Sequence, residues 1–310
     1  MLTVRNLSVT FTMYDVGLHQ RQVTVITDLD LAVAAGEVVA VVGASGSGKS
    51  LLAHAVLGIL PPNAQVAGDI IFQDEALTPA RQAQLRGRTL ALIPQSVGFL
   101  DPLMPVGKQV RRAAYLSGVA QGETATAQKQ VFDRYGLASA TSRLFPFQIS
   151  GGMARRVLTA TAAIGQAALL IADEPTPGLH PDAVVETLNH LRQLADEGRG
   201  VILITHDIEA ALRVADRVAV FYAGTTVEVA QAADFRGNGQ RLRHPYTQAL
   251  WRSLPQNDFI PVPGAQPTPD ALPAGCLFAP RCPLVTAACT PGRPAMRALR
   301  DGLVRCVHAV

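Results

Sequence analysis

The hydrophobic pattern of the chain predicts a series of strands. Residues 2–11, LTVRNLSVTF, alternate apolar and polar positions as a half-buried strand does. Short aliphatic runs at 37–42 (EVVAVV), 168–174 (ALLIADE), 200–207 (GVILITHD) and 217–224 (RVAVFYAG) are typical of strands that are buried on both faces. Such runs predict a sheet whose strands are mainly parallel.

The segments between these strands show the hydrophobic periodicity of α-helices. Leu52, Val56 and Ile59 recur at helical spacing, and the pair Pro61-Pro62 is expected to end that helix. Residues 105–165 have a mostly helical pattern, and 182–198 (DAVVETLNHLRQLADEG) form an amphipathic helix. Strands that alternate with helices predict an α/β fold, here interrupted by a helical insertion.

Composition changes sharply near residue 235. Residues 236–310 hold nine Arg, no Lys, three Asp, 11 of the 21 prolines and all four cysteines, although the whole chain carries a net charge of only +3. This change predicts a domain at 1–235 followed by an Arg-rich extension at 236–310. The helical pattern predicts a helical subdomain at about 96–160 within that domain. The small net charge gives no indication of nucleic-acid binding.

Neither a membrane span nor a secretory leader is expected. The longest candidate, ATAAIGQAALLIA at 160–172, is too short to span a bilayer and contains Gln166. The first residues, MLTVRNLSVTF, lack a basic segment followed by a long apolar one. We therefore expect the chain to be cytosolic.

A glycine-rich segment between a strand and a helix carries the first chemical signal. Residues 43–50, GASGSGKS, fit the phosphate-binding pattern G-x-x-x-x-G-K-[ST], in which backbone N–H groups surround a phosphate at a helix N-terminus. The lysine is expected to reach the β- and γ-phosphates, and Ser50 to bind Mg²⁺. The predicted nucleotide-binding residues of this loop are Gly43, Ser45, Gly46, Ser47, Gly48, Lys49 and Ser50.

A pair of acidic residues follows an apolar run about 125 residues further on. In LLIADEPT, Asp173 is expected to hold Mg²⁺ through water, and Glu174 to act as the general base that polarises the attacking water. Without other motifs, an apolar run that ends in Asp-Glu indicates only a strand whose end reaches solvent. Downstream of a phosphate-binding loop, it indicates the acidic half of an ATPase site.

Three further motifs resemble those of the ATP-binding subunits of ABC transporters. ISGGM at 149–153 is similar to the family signature, Pro94-Gln95 matches its Q-loop, and His206 in LITHD matches its switch histidine. The resemblance implies a P-loop NTPase of the ABC type, with a RecA-like core and a helical subdomain. It also implies ATP and Mg²⁺ as ligands, with Gln95 contacting Mg²⁺ and His206 contacting the γ-phosphate.

The signature implies that the site is shared between two subunits. Backbone N–H groups of Ser150, Gly151 and Gly152 at a helix start would form a second anion site. In this family, that site covers the ATP of a partner subunit, so ATP binding joins two subunits and hydrolysis releases them.

The C-terminal part resembles one branch of the family, the oligopeptide, dipeptide and nickel importers. FPFQISGGMARRV, RHPYTQALWRSLP at 243–255, and the following PVPGAQPTPDALPAGCLFAPRCP are all similar to segments of that branch. The resemblance covers almost the whole chain. It implies two integral-membrane permease subunits, a periplasmic or extracellular substrate-binding protein, and a location on the cytoplasmic face of the inner (plasma) membrane.

Four cysteines in the extension suggest a metal site. Their spacing, C-x5-C-x6-C-x16-C, lacks the paired knuckles that zinc prefers, and a cytosolic location argues against disulfides. Four thiolates suit a 4Fe–4S cluster, which some members of the branch carry, and Arg281 and Arg305 are expected to lower the thiol pKa values. Zinc and four unligated thiols stay open as alternatives to a cluster on Cys276, Cys282, Cys289 and Cys306.

The chain departs from the family pattern at two places. EPTPGLHPD places His180 where the family has an aspartate that touches the partner's P-loop. This change is either tolerated drift or the mark of an asymmetric heterodimer with two different ATP sites. The segment that normally supplies an adenine-stacking aromatic has none, and Tyr14, His19, Arg21 and Gln22 are alternatives among which the sequence does not choose.

The segment GFLDPLMPVGKQV at 98–110 resembles the region that receives a helix of the membrane subunit. We expect Phe99 and Leu103 near that groove, although the apolar residues here would also suit the core of the helical subdomain.

Two functions are therefore weighed. The first is the ATP-hydrolysing motor of a membrane importer for a peptide, nickel or a metal–metallophore complex, paired with a second ABC ATPase subunit, expected as a heterodimer. The alternative is an ABC-type ATPase of a soluble enzyme complex such as carbon–phosphorus lyase. A DNA-maintenance ATPase is excluded, because the 54 residues between Gln95 and Ser150 cannot hold a long coiled coil.

Overall fold

The computed structural model describes residues 1–14 and 17–310, and this part of the chain forms twelve strands and eight α-helices. The strands, β1 to β12 in chain order, are Leu2–Tyr14, Gln20–Val33, Val38–Gly43, Ala64–Phe72, Glu75–Ala76, Leu90–Ile93, Leu169–Asp173, Gly200–Ile204, Arg217–Tyr222, Thr225–Gln231, Arg297–Leu299 and Gly302–Val304. The helices, α1 to α8, are Lys49–Leu57, Pro79–Leu85, Val106–Leu116, Thr124–Arg134, Gly151–Ala163, Pro181–Asp196, Ile208–Leu212 and Pro245–Arg252.

The chain divides into two compact units. Unit 1 comprises Met1–Val33, Val39–Ala76 and His206–Val310, and unit 2 comprises Ala34–Val38 and Leu77–Thr205. The Arg-rich extension therefore lies in the same unit as the N-terminal strands. The predicted boundaries at 235 and around 96–160 are not tested by this division and stay predictions.

Unit 1 contains a four-stranded antiparallel sheet in the order β2-β1-β4-β5. In β1, Leu2, Val4, Leu7 and Val9 are buried, and the pairing register shifts between Val4 and Leu7, as a β-bulge requires. The predicted alternation of β1 is confirmed. The partner strands β2 and β4 were not predicted, because their polar and apolar positions alternate less regularly.

A second set of strands in unit 1 runs in the order β11-β12-β10-β9-β3. β3 and β9 are parallel, with Val39 opposite Arg217 and Gly43 opposite Phe221. The pairs β9–β10, β10–β12 and β11–β12 are antiparallel. The extension thus contributes its own two strands to this sheet, which the prediction of a mainly parallel sheet did not include.

Unit 2 contains the parallel strands β8-β7-β6, whose residues are all buried except the half-buried Leu92 of β6, as continuous apolar sequences predict. The predicted helical insertion is present as α3, α4 and α5. These helices share an apolar cluster that includes Val110, Phe132 and Val157. The amphipathic helix predicted at 182–198 is present as α6, which begins one residue earlier at Pro181 and ends two residues earlier at Asp196.

Helix α1 ends earlier than predicted. Its last residue is Leu57, and Gly58 follows in the left-handed conformation, with its N–H donating to the carbonyl oxygen of Ala55. The N–H of Ile59 donates to the carbonyl of His54, which completes a glycine-based C-cap. The prediction that Pro61 ends the helix was therefore wrong by one turn.

Among the residues that the structure describes, none of the helices combines the length and apolar character needed to cross a membrane.

Candidate functional site

The phosphate-binding loop lies in unit 1, between the end of β3 and the start of α1. Gly43 has a φ of +153°, and a Cβ atom built there would lie 2.3 Å from the carbonyl oxygen of Phe221 on β9. Gly48 caps α1 with a φ of +93°, and a Cβ there would approach the Ile26 side chain at 3.2 Å. Glycine is therefore required at these two positions by close contact and by backbone conformation.

The loop lysine is buried and folded back over the loop. The Nζ atom of Lys49 donates to the carbonyl oxygen of Gly43 at 2.9 Å and to that of Ala44 at 3.1 Å. Ser47 is fully buried, and its Oγ atom has no hydrogen-bond partner among the described residues. Ser50, the predicted Mg²⁺ ligand, lies in the first turn of α1 and is half-buried. An ammonium group and backbone N–H groups at a helix N-terminus are the groups that bind a phosphate.

The other predicted site residue in unit 1 is His206. It is exposed and comes directly before Asp207, whose Oδ1 atom accepts the N–H of Ala210 at 2.9 Å and caps α7. Helix capping by Asp207 fixes the backbone next to the histidine.

In unit 2, the two acidic residues lie at the end of β7. Asp173 is the last residue of the strand and is buried, and it pairs with Ile204 of β8. Glu174 has a φ of +47°, a conformation that is unfavourable for a side chain with a Cβ atom. Its N–H donates to the carbonyl of Ile204 at 2.9 Å, which prolongs the β7–β8 pairing by one residue. Strain of this kind is concentrated at functional sites.

Arg155 holds the backbone of Glu174 from the signature helix. Its guanidinium donates to the carbonyl oxygen of Glu174 at 2.7 Å. Burial lowers the pKa of Arg155, and the negative charge of Glu174 opposes that shift. The contact fixes the strained turn that carries the predicted general base. Sequence analysis did not assign a role to Arg155, although it lies only two residues after the signature.

The signature ISGGM spans the start of α5, where Ser150 and Gly151 are exposed and the other three residues are half-buried. The Oγ atom of Ser150 accepts the N–H of Met153 at 3.2 Å and caps the helix. Gly151 is exposed with nothing within 4 Å of a built Cβ, and at Gly152 the nearest atom is a Leu179 methyl at 3.8 Å. The helix N-terminus is thus open to solvent, as the predicted capping of another nucleotide requires.

Gln95 is exposed directly after β6. Pro94 lacks an N–H group and ends the strand, and Ser96 caps the short helix that follows by accepting the N–H of Gly98 at 3.1 Å. Phe99 and Leu103, the predicted groove residues, are 61% and 87% exposed. Their exposure excludes the alternative in which they belong to the core of the helical subdomain.

The predicted residues therefore form two sets. Unit 1 carries the loop residues with His206, and unit 2 carries Gln95, Asp173, Glu174 and the signature. The roles assigned to the individual residues stay predictions.

The four cysteines are all free thiols. The N–H of Cys276 donates to the carbonyl of Cys289 at 2.8 Å, and the Sγ atom of Cys289 lies 3.4 Å from Nε2 of His308. Burial raises the pKa values of Cys276 and Cys282, and the neighbouring thiols raise them further. Among residues 1–14 and 17–310, no group of three or more His, Cys, Asp or Glu side chains is arranged to hold a metal ion. The thiols in this arrangement do not fit a cluster.

The expected effect of Arg281 and Arg305 on the thiols was wrong. Arg281 donates to the hydroxyl of Tyr222 and to the carbonyls of Val262 and Pro263. Arg305 donates to the Asp30 carboxylate and to three backbone carbonyls of unit 1. Each guanidinium has its own partners, so burial is the main cause of the raised pKa values of Cys276 and Cys282.

The residues at the two places where the sequence departs from the family pattern are exposed to solvent. His180 precedes α6, and its Nδ1 atom lies 3.5 Å from the carboxylate of Asp182. Tyr14 is exposed and its hydroxyl accepts a hydrogen bond from Gln20, whereas Arg21 pairs with Asp270 at 2.9 Å. The adenine-stacking residue stays unassigned.

Sequence analysis also missed the role of the RHPY segment. The guanidinium of Arg243 lies between the buried carboxylates of Glu228, at 3.3 Å, and Asp234, at 2.9 Å. Glu228 also accepts the backbone N–H groups of Arg243 and His244. This segment therefore anchors the extension to β10 and to the short turn that follows it.

Comparisons with known proteins agree with the fold and with the sequence motifs described above. A family model described as "ABC transporter" matches residues 26–177, and one described as "Oligopeptide/dipeptide transporter, C-terminal region" matches residues 227–289. The oligopeptide transport ATP-binding protein OppD of Salmonella typhimurium is 33% identical over 318 residues, which cover 98% of this chain and 92% of that protein. This chain belongs to the family of oligopeptide transport ATP-binding proteins.

Other members of this family differ in length. OppD of Mycobacterium tuberculosis is 37% identical over 309 residues, which cover 95% of this chain, but the chain spans about half of that relative, 49% of its length. A putative peptide import ATP-binding protein of Brucella abortus is 33% identical over 99% of this chain and 94% of its own length. Among solved structures, a bacterial ABC transporter cassette in dimeric form superposes with a TM-score of 0.67 at 22% identity, over 76% of this chain and all of the cassette. The fold is that of an ABC-type P-loop NTPase.

Proposed function

We propose that this chain is the ATP-hydrolysing motor subunit of a membrane ABC importer for peptides. The observation that carries the proposal is the full-length likeness to oligopeptide transport ATP-binding proteins, including the C-terminal region. The loop geometry supports it, because Lys49 and the N-terminus of α1 offer a phosphate-binding cradle. Nothing in the relatives described above favours nickel, a metallophore complex or a soluble carbon–phosphorus lyase complex.

Within the site, each residue has a proposed part. The loop N–H groups and Lys49 bind the ATP phosphates, and the oxygen atoms of Ser50 and Asp173 suit Mg²⁺, which prefers oxygen ligands. Gln95 is proposed to contact the ion and His206 the γ-phosphate. Glu174 is proposed as the general base for the attacking water, on the strained turn that Arg155 holds.

The open signature helix supports a paired arrangement. We propose that Ser150, Gly151 and Gly152 cover the ATP of a second ABC subunit, because the helix N-terminus is exposed and offers N–H donors to an anion. The partner is proposed to be a different chain, since His180 replaces a carboxylate at the shared site. Two permease subunits and a substrate-binding protein complete the proposed importer, with this chain peripheral on the cytoplasmic face.

The test of the motor assignment is a trapping experiment. Glu174→Gln keeps the size of the side chain but removes the base, so MgATP should hold the two ATPase subunits together without turnover. Size-exclusion chromatography and phosphate release measure the two effects, and Lys49→Ala is the matched control that should neither dimerise nor hydrolyse. Normal hydrolysis by Glu174→Gln would refute the assigned base. Co-purification with a soluble enzyme core instead of two multispanning subunits would refute the importer.

The iron–sulfur cluster stays a prediction from the cysteine spacing, and no step is derived through it. Iron and acid-labile sulfide per chain after anaerobic purification, compared with Cys289→Ser, would decide whether the four thiols rearrange around a cluster.

A further inference from the structure

Both backbone polar groups of Glu174 are held by neighbouring elements of unit 2. Its N–H donates to the carbonyl oxygen of Ile204 on β8 at 2.9 Å, and its own carbonyl oxygen accepts a hydrogen bond from Nη1 of Arg155 on α5 at 2.7 Å. Because φ and ψ together set the directions of these two groups, the two bonds oppose relaxation of the turn from its φ of +47°.

The bond from Arg155 is the stronger of the two in chemical terms. A guanidinium is a charged donor, and charge-assisted hydrogen bonds are shorter and stronger than those between two neutral amide groups. Glu174 is 7% exposed, so removal of the guanidinium would leave its carbonyl oxygen with little access to water as a substitute donor. The backbone that carries the proposed base therefore depends on Arg155.

The position of Arg155 is set by the packing of the signature helix. It stands four residues after Gly151, and residues four apart lie above one another on the same face of a helix. Its neighbours Ala154 and Val157 belong to the apolar cluster that α5 shares with α3 and α4. The guanidinium is thus carried by a helix that the core of the helical subdomain holds in place.

The next residue along the helix, Arg156, makes similar bonds elsewhere. Its Nη1 atom donates to the carbonyl oxygens of Tyr135 at 3.3 Å and Gly136 at 3.1 Å, directly after α4. Arg155 and Arg156 are both half-buried, and both donate to backbone carbonyls of unit 2. The two side chains differ in that Arg155 bonds the turn of the base and Arg156 bonds the end of α4.

We propose that Arg155 is a positioning residue for the general base Glu174, so that the signature helix serves hydrolysis by its own subunit in addition to covering the partner's ATP. The inference rests on the proposed roles of Glu174 and of the signature. It assigns two separate tasks to the beginning of α5: the N–H groups of residues 150–152 bind the partner's nucleotide, and Arg155 orients the base.

The test compares substitutions of the two adjacent arginines in the purified pair of ATPase subunits. Arg155→Met and Arg156→Met each keep most of the aliphatic stem and remove the guanidinium. For Arg155→Met, loss of a charged hydrogen bond that orients the base predicts a kcat about ten- to hundred-fold lower, with KM for MgATP within about two-fold of wild type. Arg156→Met should lower Tm but keep kcat within about two-fold.

Size-exclusion chromatography with MgATP separates the two tasks of α5. The N–H groups of the signature are unchanged in Arg155→Met, so MgATP should still hold the two subunits together. Failure of Arg155→Met to form this pair would overturn the inference, because Arg155 would then act on the signature.

A double variant measures whether Arg155 acts through Glu174. A positioning residue has no effect once the group that it positions is gone, so phosphate release by Arg155→Met/Glu174→Gln should equal that by Glu174→Gln alone. A further decrease in the double variant would place the effect of Arg155 elsewhere and overturn the inference.

The single variants decide the remaining alternatives. A wild-type kcat for Arg155→Met overturns the inference, and so does an equal fall in kcat for Arg156→Met, since both would then act through general stability. Glu174→Gln alone tests the proposed function: if it hydrolyses ATP normally, the base is misassigned, whatever Arg155→Met does.

Discussion

The buried guanidinium of Arg243 provides a direct test of how the extension is held. In Arg243→Met, the aliphatic stem is largely kept, but Glu228 and Asp234 lose their shared cation. Both carboxylates are almost fully buried, with side-chain exposures of 0% and 1%. Removing one partner of a buried ion pair costs about 3–5 kcal/mol, because the remaining charge is left uncompensated.

The remaining contacts place the effect at the lower end of that range. Glu228 keeps the backbone N–H groups of residues 243 and 244, and Asp234 keeps Arg241 at 3.1 Å and the N–H of Gln231. We therefore expect a loss of about 3 kcal/mol in the free energy of unfolding, equivalent to a Tm lower by about 6–12 °C for a domain of this size.

Arg252→Met is the matched control. Its ion pair with Asp258 has side-chain exposures of 49% and 44%, so its loss should cost at most about 1 kcal/mol. Calorimetry of nucleotide-free protein measures both variants. Equal decreases in Tm would refute the reasoning that burial sets the cost.

The loss of stability in Arg243→Met should also depend on pH, which a loss of packing alone would not explain. Burial raises the pKa of Glu228, and removal of Arg243 should raise it further. When the pKa of a carboxyl group is higher in the folded than in the unfolded state, its contribution to folding stability is complete below the unfolded pKa. That contribution is lost as the pH rises towards the folded pKa. The deficit of Arg243→Met should therefore be larger at pH 8 than at pH 5, and a deficit that does not change with pH would contradict the argument.

Three further results are expected. Gly43→Ala should abolish MgATP binding, because the new Cβ would collide with the Phe221 carbonyl. Gly118 has a φ of +102° and open space around it, so Gly118→Ala should lower stability without affecting MgATP binding. Equal MgATP binding by both variants would contradict the loop geometry. Burial, aided by two nearby arginines, lowers the pKa of His190 to about 4, so folding loses stability as the pH falls from 6.5 towards 4. At pH 5.5, His190→Leu should remove about 1.4 kcal/mol of this loss in the free energy of unfolding, measured with urea. If the free energy of unfolding of the variant falls with pH as steeply as that of the wild type, His190 is not the cause of the loss. His180→Asp should change the ATPase rate of the assembled importer if the two sites differ, and an unchanged rate would favour tolerated drift.

The local motifs were predictable from the sequence, but the contacts that support them were not. The loop at 43–50 and the acidic strand end at Asp173 depend on neighbouring residues, so their spacing suffices to place them. Arg155 supports Glu174 across 19 positions, and Arg305 donates to the Asp30 carboxylate across 275 positions. Such pairings depend on the folded arrangement and leave no periodic signal.

The errors have different origins. Pro61 looked like the end of α1, but the left-handed Gly58 ends it first, since a glycine cap satisfies the last carbonyl groups. The arginines of the extension looked available to the cysteines, but the fold gives them partners in the N-terminal strands and in β9. The antiparallel sheet of β2, β1 and β4 was missed because two of its strands alternate irregularly.

The pairing of β12 with β10 also has a consequence for biosynthesis. Strand β10 ends at Gln231, and its partner begins at Gly302, so about 70 residues must be translated before the edge of the sheet is closed. At about 5–20 residues per second, the side of β10 that faces away from β9 stays unpaired for roughly 4–14 s after it is synthesised. An uncovered edge can pair with another nascent chain. Chains that stall within the extension should therefore be the ones that aggregate or recruit chaperones.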